Sequence, residues 1–337
     1  MLSKLYPLAM EPFLSERVWG GERLAAYGKR LPASGHIGES WEISGHREGL
    51  SRVAAGTLAG RTIPELVAEF GAELLGTDVP ADRPFPLLAK LIDAREQLSV
   101  QVHPSDAYCA AHALADPGKP EAWYVLEAAA GARIWKGLLT GTDRGKFERL
   151  LAAGRLAECL RSFPVSAGDC IDLPAGTVHA IGAGVVLAEV QQTSDLTYRV
   201  FDWNRVGLDG QPRELHVREA LETIDWATLG GADLGDKVRP KSEALPVGGK
   251  RLRLVSNDKF EMEVLDLYAK LEIPADAGRF GCVTVLDGAA RLESAGSAER
   301  VERGASYLLP AALPGLTVVP ERRCRMLWAR PARKGHG

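Results

Sequence analysis

The chain has 337 residues, a length that suits one large or two moderate domains with enough apolar content for packed cores. Its formal net charge is -3, and acidic and basic residues are mixed throughout, so it has no broad electrostatic footprint for nucleic acid or an anionic membrane. The five cysteines are scattered and form no Cys-x-x-Cys pair, which favours a reducing cytoplasm over a disulfide framework. We expect no signal peptide, because the N-terminus lacks a basic segment leading into an apolar stretch and a small-residue cleavage site. We expect no membrane span, because no apolar run approaches roughly twenty residues.

Short strand-like runs dominate the chain and predict a mainly β protein. Helical periodicity interrupts these runs and predicts helices at 63–75, 146–160 and 217–224, which would flank or interrupt a barrel. The predicted strands are 86–92, 122–127, 185–191, 197–203, 261–267 and 279–286.

A domain boundary is predicted after residue 234. Residues 235–249 are rich in charge, proline and glycine and show no clear period, as expected of a linker. Residues 250–332 are predicted to form a second β module, in which 285–292 reads as a hairpin and 304–310 repeat the Gly-x5-Pro spacing of 168–174. No histidine lies between His216 and His336, so this second module is expected to hold no comparable metal.

Two histidines and a carboxylate indicate a metal site. Gln101 and His103 share one face of an alternating strand that Pro104 ends. Glu121 follows a short helical excursion, and His179 follows a Pro-x-Gly turn that returns the chain into another strand. These nitrogen and oxygen ligands fit zinc, iron, manganese or cobalt and leave positions for water or substrate. The alternative is that both histidines are ordinary, partly buried polar residues.

Several motifs carry a family resemblance. Residues 168–179 have the spacing Gly-x5-Pro-x-Gly-x2-His, which resembles the second motif of the cupin β-barrels. In chain order, GESWEIS (38–44), PLLAK (86–90), LSVQVHP (98–104), GKPE (118–121) and EVQQTSDLTYR (189–199) resemble the type I phosphomannose isomerases, and the short bacterial branch fits best by length. The resemblance covers residues 7–225 strongly and the remainder weakly.

The resemblance implies a cupin-type β-barrel, or jelly roll, with inserted helices and a second, metal-free cupin-like β module. It implies a zinc-dependent aldose-ketose isomerase that interconverts D-mannose 6-phosphate and D-fructose 6-phosphate through a cis-enediol. One Zn²⁺ per chain would be held by His103, Glu121, His179 and Gln101. The partner would be a small sugar phosphate, and the protein would be a cytoplasmic monomer or homodimer.

Arg199 matches the arginine treated as catalytic in the family, where it would stabilise the enediolate or bind phosphate. The alternative is a surface arginine paired with Asp195 or Asp202. Lys90 is the only charge in an apolar run, so we expect burial to lower its pKa and make it the proton-transferring base. The alternative is a lysine on the solvent side or edge of a sheet.

Lys119 is predicted to bind phosphate, and Glu189 to orient a ligand or accept a sugar hydroxyl. Segments 19–21 and 39–42 also match the family, but tight turns and tryptophans in a β core explain them structurally. His216 is interpreted as a residue at a helix start, or as one that supports the metal ligands without binding the metal itself.

Two other functions remain open from the sequence. Two histidines and a glutamate can hold ferrous iron in a cupin oxygenase. The basic residues Lys90, Lys119 and Arg199 favour an anionic sugar phosphate instead. A non-catalytic sugar-binding cupin would be favoured by a missing ligand or a missing Arg199, and neither is missing.

Overall fold

The computed structural model describes residues 5–33, 36–229, 235–246, 248–294 and 296–333. The first elements are β1 (Leu8–Glu11), β2 (Phe13–Gly21), β3 (Ile37–His46), β4 (Gly49–Leu50), β5 (Arg52–Val53), α1 (Ile63–Phe70), α2 (Ala72–Leu75), β6 (Leu87–Ala94), β7 (Val100–Val102) and α3 (Asp106–Ala111). Next come β8 (Glu121–Ala128), β9 (Arg133–Leu138), α4 (Arg144–Ala152), β10 (Leu160–Pro164), β11 (Cys170–Leu173), β12 (His179–Ile181), β13 (Val185–Gln192), β14 (Tyr198–Phe201), α5 (Val217–Thr223) and α6 (Trp226–Leu229).

The C-terminal part consists of strands: β15 (Lys241–Ala244), β16 (Gly249–Ser256), β17 (Phe260–Leu267), β18 (Leu271–Pro274), β19 (Gly281–Ser294), β20 (Ser297–Glu302), β21 (Ser306–Leu309) and β22 (Gly315–Pro331). The mainly β prediction is therefore confirmed. None of the helices among the described residues combines the length and the hydropathy of a transmembrane helix.

Local sequence explains where the helices begin and end. Thr62 and Glu65 form a capping box at the start of α1, and Gly71, with φ of 47°, separates α1 from α2. Asp143 caps α4 by accepting a hydrogen bond from the Lys146 backbone N–H at 2.7 Å. Gly154, with φ of 67°, lies just after α4. The predicted helices 63–75 and 146–160 are thus each interrupted at a glycine.

Within the described residues, the strands form three antiparallel sheets. One has seven strands in the order β11-β8-β13-β6-β3-β2, with β4 on β3, and another has five in the order β10-β9-β12-β7-β14. These two sheets face each other across an apolar core that includes Trp19, Ile92 and Trp123 from one sheet and Ile134, Phe163 and Ile181 from the other. This pair is the predicted cupin-type barrel, and Phe147 of α4 and Leu221 of α5 pack in a core with the five-stranded sheet.

The third sheet has ten strands and forms the second β module. Its Phe260, Leu308 and Leu327 pack in one core with Leu91 and Val190 of the seven-stranded sheet. The module therefore lies against the outer face of the barrel and supports the strands that carry the site.

The predicted domain limits of 1–234, 235–249 and 250–332 stay predictions, and the first ends outside the described residues. Two strand pairings differ from these predicted limits. β1 pairs with β21, so the N-terminal strand belongs to the C-terminal sheet. Within the predicted linker, β15 pairs with β16. Neither pairing is visible in local sequence, because each depends on contacts between distant segments or on an exposed edge.

The predicted hairpin at 285–292 is wrong. β19 runs through this segment with irregular register on either side of Gly288, and the hairpin turn comes later, between β19 and β20. Gly288 has φ of 76°, and a Cβ there would lie 2.0 Å from the Arg323 carbonyl oxygen. Asp-Gly therefore marks a bulge in a long strand instead of a turn.

Candidate active site

Three buried side chains from the two facing sheets lie close together. His103 directly follows β7, Glu121 begins β8 and His179 begins β12, so both facing sheets contribute. One ligand atom from each residue lies within 4.8 Å of the other two. The antiparallel register places His179 opposite Gln101. The structure thus brings together the three ligands expected from the sequence.

The hydrogen bonds of the two histidines determine which ring nitrogen faces the carboxylate. His103 Nδ1 lies 2.9 Å from the Leu196 carbonyl oxygen, and His179 Nδ1 lies 2.8 Å from that of Thr177. A carbonyl only accepts, so both Nδ1 atoms carry the proton. The unprotonated Nε2 atoms then face Glu121, at 3.4 Å from His103 and 3.3 Å from His179. This is the ring orientation that metal-binding histidines use.

Burial keeps both imidazoles neutral. It is the main cause that lowers the pKa of His179 to about 4 and that of His103 well below its usual value, with the Lys119 charge adding to both. Neutral rings are the form that binds a metal. Gln101 lines the same pocket, and its amide nitrogen donates to Ser99 Oγ at 3.0 Å, which leaves its carbonyl oxygen as an acceptor. Gln101 as a ligand stays a prediction.

Glu121 supplies the negative charge at this centre. Burial and the nearby Glu189 carboxylate raise its pKa to about 7. Its Oε2 lies 3.3 Å from the Lys119 ammonium but accepts no hydrogen bond among the described residues. A buried carboxylate oxygen in that state, beside two unprotonated Nε2 atoms, fits a divalent cation. Lys119 Nζ also lies 3.2 Å from His103 Nε2, so this lysine is beside the ligands.

Lys90 and Glu189 form a buried ion pair next to the ligands. They are direct partners in the register of β6 and β13, and Lys90 Nζ lies 3.2 Å from Glu189 Oε1. Glu189 Oε2 accepts a hydrogen bond from Trp123 Nε1 at 2.8 Å. Burial disfavours the charged lysine, but the carboxylates of Glu189 and Glu39 outweigh it and raise the Lys90 pKa. The predicted lowering of that pKa is wrong, because the sequence does not show which carboxylates oppose Lys90.

Arg199 lies on β14 opposite Gln101 and lines the pocket. One terminal nitrogen donates to the Glu214 carbonyl oxygen at 2.8 Å, while Nε is buried without a partner among the described residues. Burial, and then the charge of Arg213, lower its pKa. Asp202 binds Arg213 instead, at 2.6 Å. The surface ion pair considered as the alternative for Arg199 is therefore not formed with Asp202.

Arg17 and Arg213 of the pocket were not singled out from the sequence, and Glu39 was given only a structural explanation. Arg17 on β2 and Glu39 on β3 line this pocket, and their charged groups are 2.8 Å apart. Trp41 Nε1 also donates to Glu39 at 3.0 Å. Burial by itself would raise the Glu39 pKa, but the positive charges of Lys90 and Arg17 outweigh that effect and lower the pKa to about 2. The signal was the alternation that puts Glu39 and Trp41 on one face of a strand.

A buried carboxylate behind the ligands connects several loops. Asp116 accepts from His46 Nε2 at 3.0 Å and from the backbone N–H of Asp195 at 3.1 Å. The next residue, Leu196, supplies the carbonyl oxygen that orients His103. Asp116 therefore holds the loop that fixes the direction of one ligand.

The charged residues surround a cavity of about 560 Å³. Its volume lies within the range typical of small-molecule sites. Among its lining residues are Arg17, Glu39, Lys90, Gln101, His103, Lys119, Glu121, His179, Glu189, Arg199 and Arg213. Every site residue expected from the sequence is in this set.

Comparison with known proteins identifies relatives. The sequence model for the catalytic domain of type I phosphomannose isomerase matches residues 8–122. The probable mannose-6-phosphate isomerase GmuF of Bacillus subtilis is 34% identical over 97% of this chain and 99% of its own length. The mannose-6-phosphate isomerase of Streptococcus mutans is 40% identical over 65% of this chain and 67% of its own length.

A solved structure agrees with these sequence matches. The crystal structure of a mannose 6-phosphate isomerase from Bacillus subtilis superposes with a TM-score of 0.88 at 31% identity. The match covers 96% of this chain and 99% of that one. The chain belongs to the type I phosphomannose isomerase family.

Proposed function

We propose that this protein interconverts D-mannose 6-phosphate and D-fructose 6-phosphate with one zinc ion per chain. The observation that carries the proposal is the convergence of His103 Nε2, His179 Nε2 and Glu121 beside a buried Lys90–Glu189 pair. Metal ligands and a proton-transfer pair in one cavity are the parts that an aldose-ketose isomerisation requires. We further propose a cytoplasmic enzyme, in keeping with its five free cysteines.

His103, Glu121, His179 and Gln101 would hold the ion. Zinc suits this nitrogen and oxygen set, and the reaction involves no redox change of a metal. When bound, it would supply Lewis-acid polarisation of the sugar oxygens. Lys119 lies beside the same ligands, so we propose that its ammonium contacts the reacting end of the sugar. That assignment replaces the sequence expectation of phosphate binding.

The Lys90–Glu189 pair would move the proton. With its raised pKa Lys90 stays protonated, so we assign proton abstraction to Glu189, whose Oε1 accepts no hydrogen bond among the described residues. Glu189 takes the proton from C2 of the aldose, the electrons of the C2–H bond form the C1–C2 double bond, and the π electrons of the C1 carbonyl pass to O1. The hydroxyl proton of O2 is transferred to O1 through the cis-enediol, C2 becomes the carbonyl carbon, and Glu189 returns its proton to C1. Lys90 and Arg199 donate hydrogen bonds to the oxygens that gain negative charge.

Purified protein should be incubated with mannose 6-phosphate while fructose 6-phosphate is followed by a coupled assay. We expect product from the untreated enzyme, loss of product after chelation, and recovery with zinc. Glu189→Gln should bind zinc normally and lose about 100-fold or more of kcat, as removal of a general base does. No product with zinc, manganese, cobalt or iron would refute the isomerase and leave the oxygenase or sugar-binding alternatives.

A further inference from the structure

Three arginines line the same cavity as the metal ligands. Arg17 comes from β2, Arg199 from β14 and Arg213 from the segment after β14, and all three line the cavity. Lys90, Lys119 and the three ligands His103, Glu121 and His179 are buried. Arg17 and Arg213 instead keep 35% and 20% of their side-chain surface exposed. The arginines therefore mark the open side of the cavity and the ligands its base.

Each of these arginines has donors left over. Arg17 uses one terminal nitrogen for Glu39, and Arg213 uses Nε and one terminal nitrogen for Asp202 at 2.7 and 2.6 Å. In the described part of the chain their other guanidinium nitrogens form no hydrogen bond, and Arg199 Nε is buried without a partner. Glu16 and Asp209 also line the cavity, but both are exposed and form no ion pair with the arginines among the described residues.

The positive charges are close enough to affect one another. Burial is the largest cause that lowers the pKa of Arg199, and the charges of Arg213, Arg17 and Arg205 lower it further. Asp202 is the carboxylate that opposes this effect. A dianionic group between the guanidiniums would relieve this repulsion, and a planar guanidinium matches phosphate in two parallel hydrogen bonds.

We propose that Arg17 and Arg213 bind the phosphate of the sugar phosphate from opposite sides, with Arg199 Nε between that group and the reacting carbons. The inference rests on the proposed function and identifies the residues that determine its preference for phosphorylated sugars. Mannose 6-phosphate carries its reacting carbons at one end and its phosphate at the other. With C1 and C2 at the buried ligands, the phosphate is directed toward the open side.

The test compares Arg17→Ala and Arg213→Ala with Arg61→Ala in zinc-loaded enzyme. Arg61 is a matched control, because it is 33% exposed and pairs with one carboxylate, Glu69, at 2.7 Å outside the cavity. The measurement is kcat/KM for mannose 6-phosphate and for unphosphorylated D-mannose, which shares the reacting end. We expect kcat/KM for mannose 6-phosphate, divided by that for D-mannose, to fall about 10- to 100-fold in each cavity variant, mainly through a higher KM for mannose 6-phosphate. In Arg61→Ala this ratio should stay within about twofold of the wild-type value.

A second measurement is binding of inorganic phosphate to the same proteins by calorimetry. Wild type and Arg61→Ala should bind phosphate, and Arg17→Ala should bind it at least about tenfold more weakly. The proposal would be overturned if kcat/KM of the cavity variants fell equally for both sugars, so that their ratio stayed unchanged. Unchanged affinity of the cavity variants for inorganic phosphate would also overturn it. If the wild type binds phosphate through Arg17 but isomerises neither sugar, the proposed reaction fails and the anion site stands.

Discussion

Replacement of Glu39 by glutamine tests how strongly Lys90 and Arg17 stabilise the ionised Glu39 carboxylate in the folded protein. The ordinary pKa of Glu39 is 4.5, and Lys90 and Arg17 lower it to about 2 in the folded protein. That lowering of the pKa corresponds to about 3 kcal/mol of folding free energy. Since the folded pKa is depressed, this stability is fully present above pH 4.5 and is lost as the pH falls toward 2. Glu39→Gln removes it at neutral pH.

The assay is urea unfolding of chelated wild type and Glu39→Gln at pH 7 and pH 3.5. At pH 3.5 the wild type has lost about 1 kcal/mol of the linked stability, so the difference in free energy of unfolding between the two proteins should narrow by that amount. Glu69→Gln, which breaks the exposed ion pair with Arg61, should cost no more than about 1 kcal/mol. If the free energies of unfolding of wild type and Glu39→Gln differ equally at both pH values, the reasoning is refuted, because Glu39 would then keep its ordinary pKa when folded.

Two further substitutions separate metal binding from turnover. Arg199→Ala should keep wild-type zinc affinity, measured by chelator competition, and lose about 100-fold or more of kcat/KM in the isomerase assay. Loss of zinc binding in this variant would contradict the proposal that Arg199 contacts the substrate. Asp116→Asn should weaken zinc binding about tenfold, because the loop that orients His103 loses its carboxylate. Asp266→Asn is its control, since Asp266 is equally buried and paired with Arg323 in the C-terminal module; equal zinc affinity in both variants would contradict the positioning role.

The ligand set was predictable because each residue lies at a point where local sequence fixes the backbone. Pro104 ends the strand just after His103, and Gly176 donates its backbone N–H to the His103 carbonyl oxygen at 2.8 Å. Gly118 leads into Glu121, and a Cβ there would lie 2.4 Å from the Asp106 nitrogen. Prolines and glycines of this kind constrain the chain in ways that a sequence displays directly.

The charges around the ligands were not predictable in the same way. Lys90 meets Glu189 through the register of two strands almost a hundred positions apart, and register follows from the whole sheet. Arg17 reaches the cavity from a strand whose own pattern shows no function. The pairing of β1 with β21 depends likewise on a contact across nearly the entire chain. Local sequence therefore predicts ligand types better than their electrostatic surroundings.

The most direct test of the account is a zinc titration of metal-free protein, with bound zinc and fructose 6-phosphate formation measured in the same samples. Turnover of mannose 6-phosphate should rise linearly with bound zinc and level off at about one ion per chain, as expected for a single three- or four-ligand site. His103→Ala should bind no zinc at these concentrations and form no product. Full turnover by metal-free His103→Ala, or by wild type before zinc is added, would contradict the claim that this site performs the isomerisation.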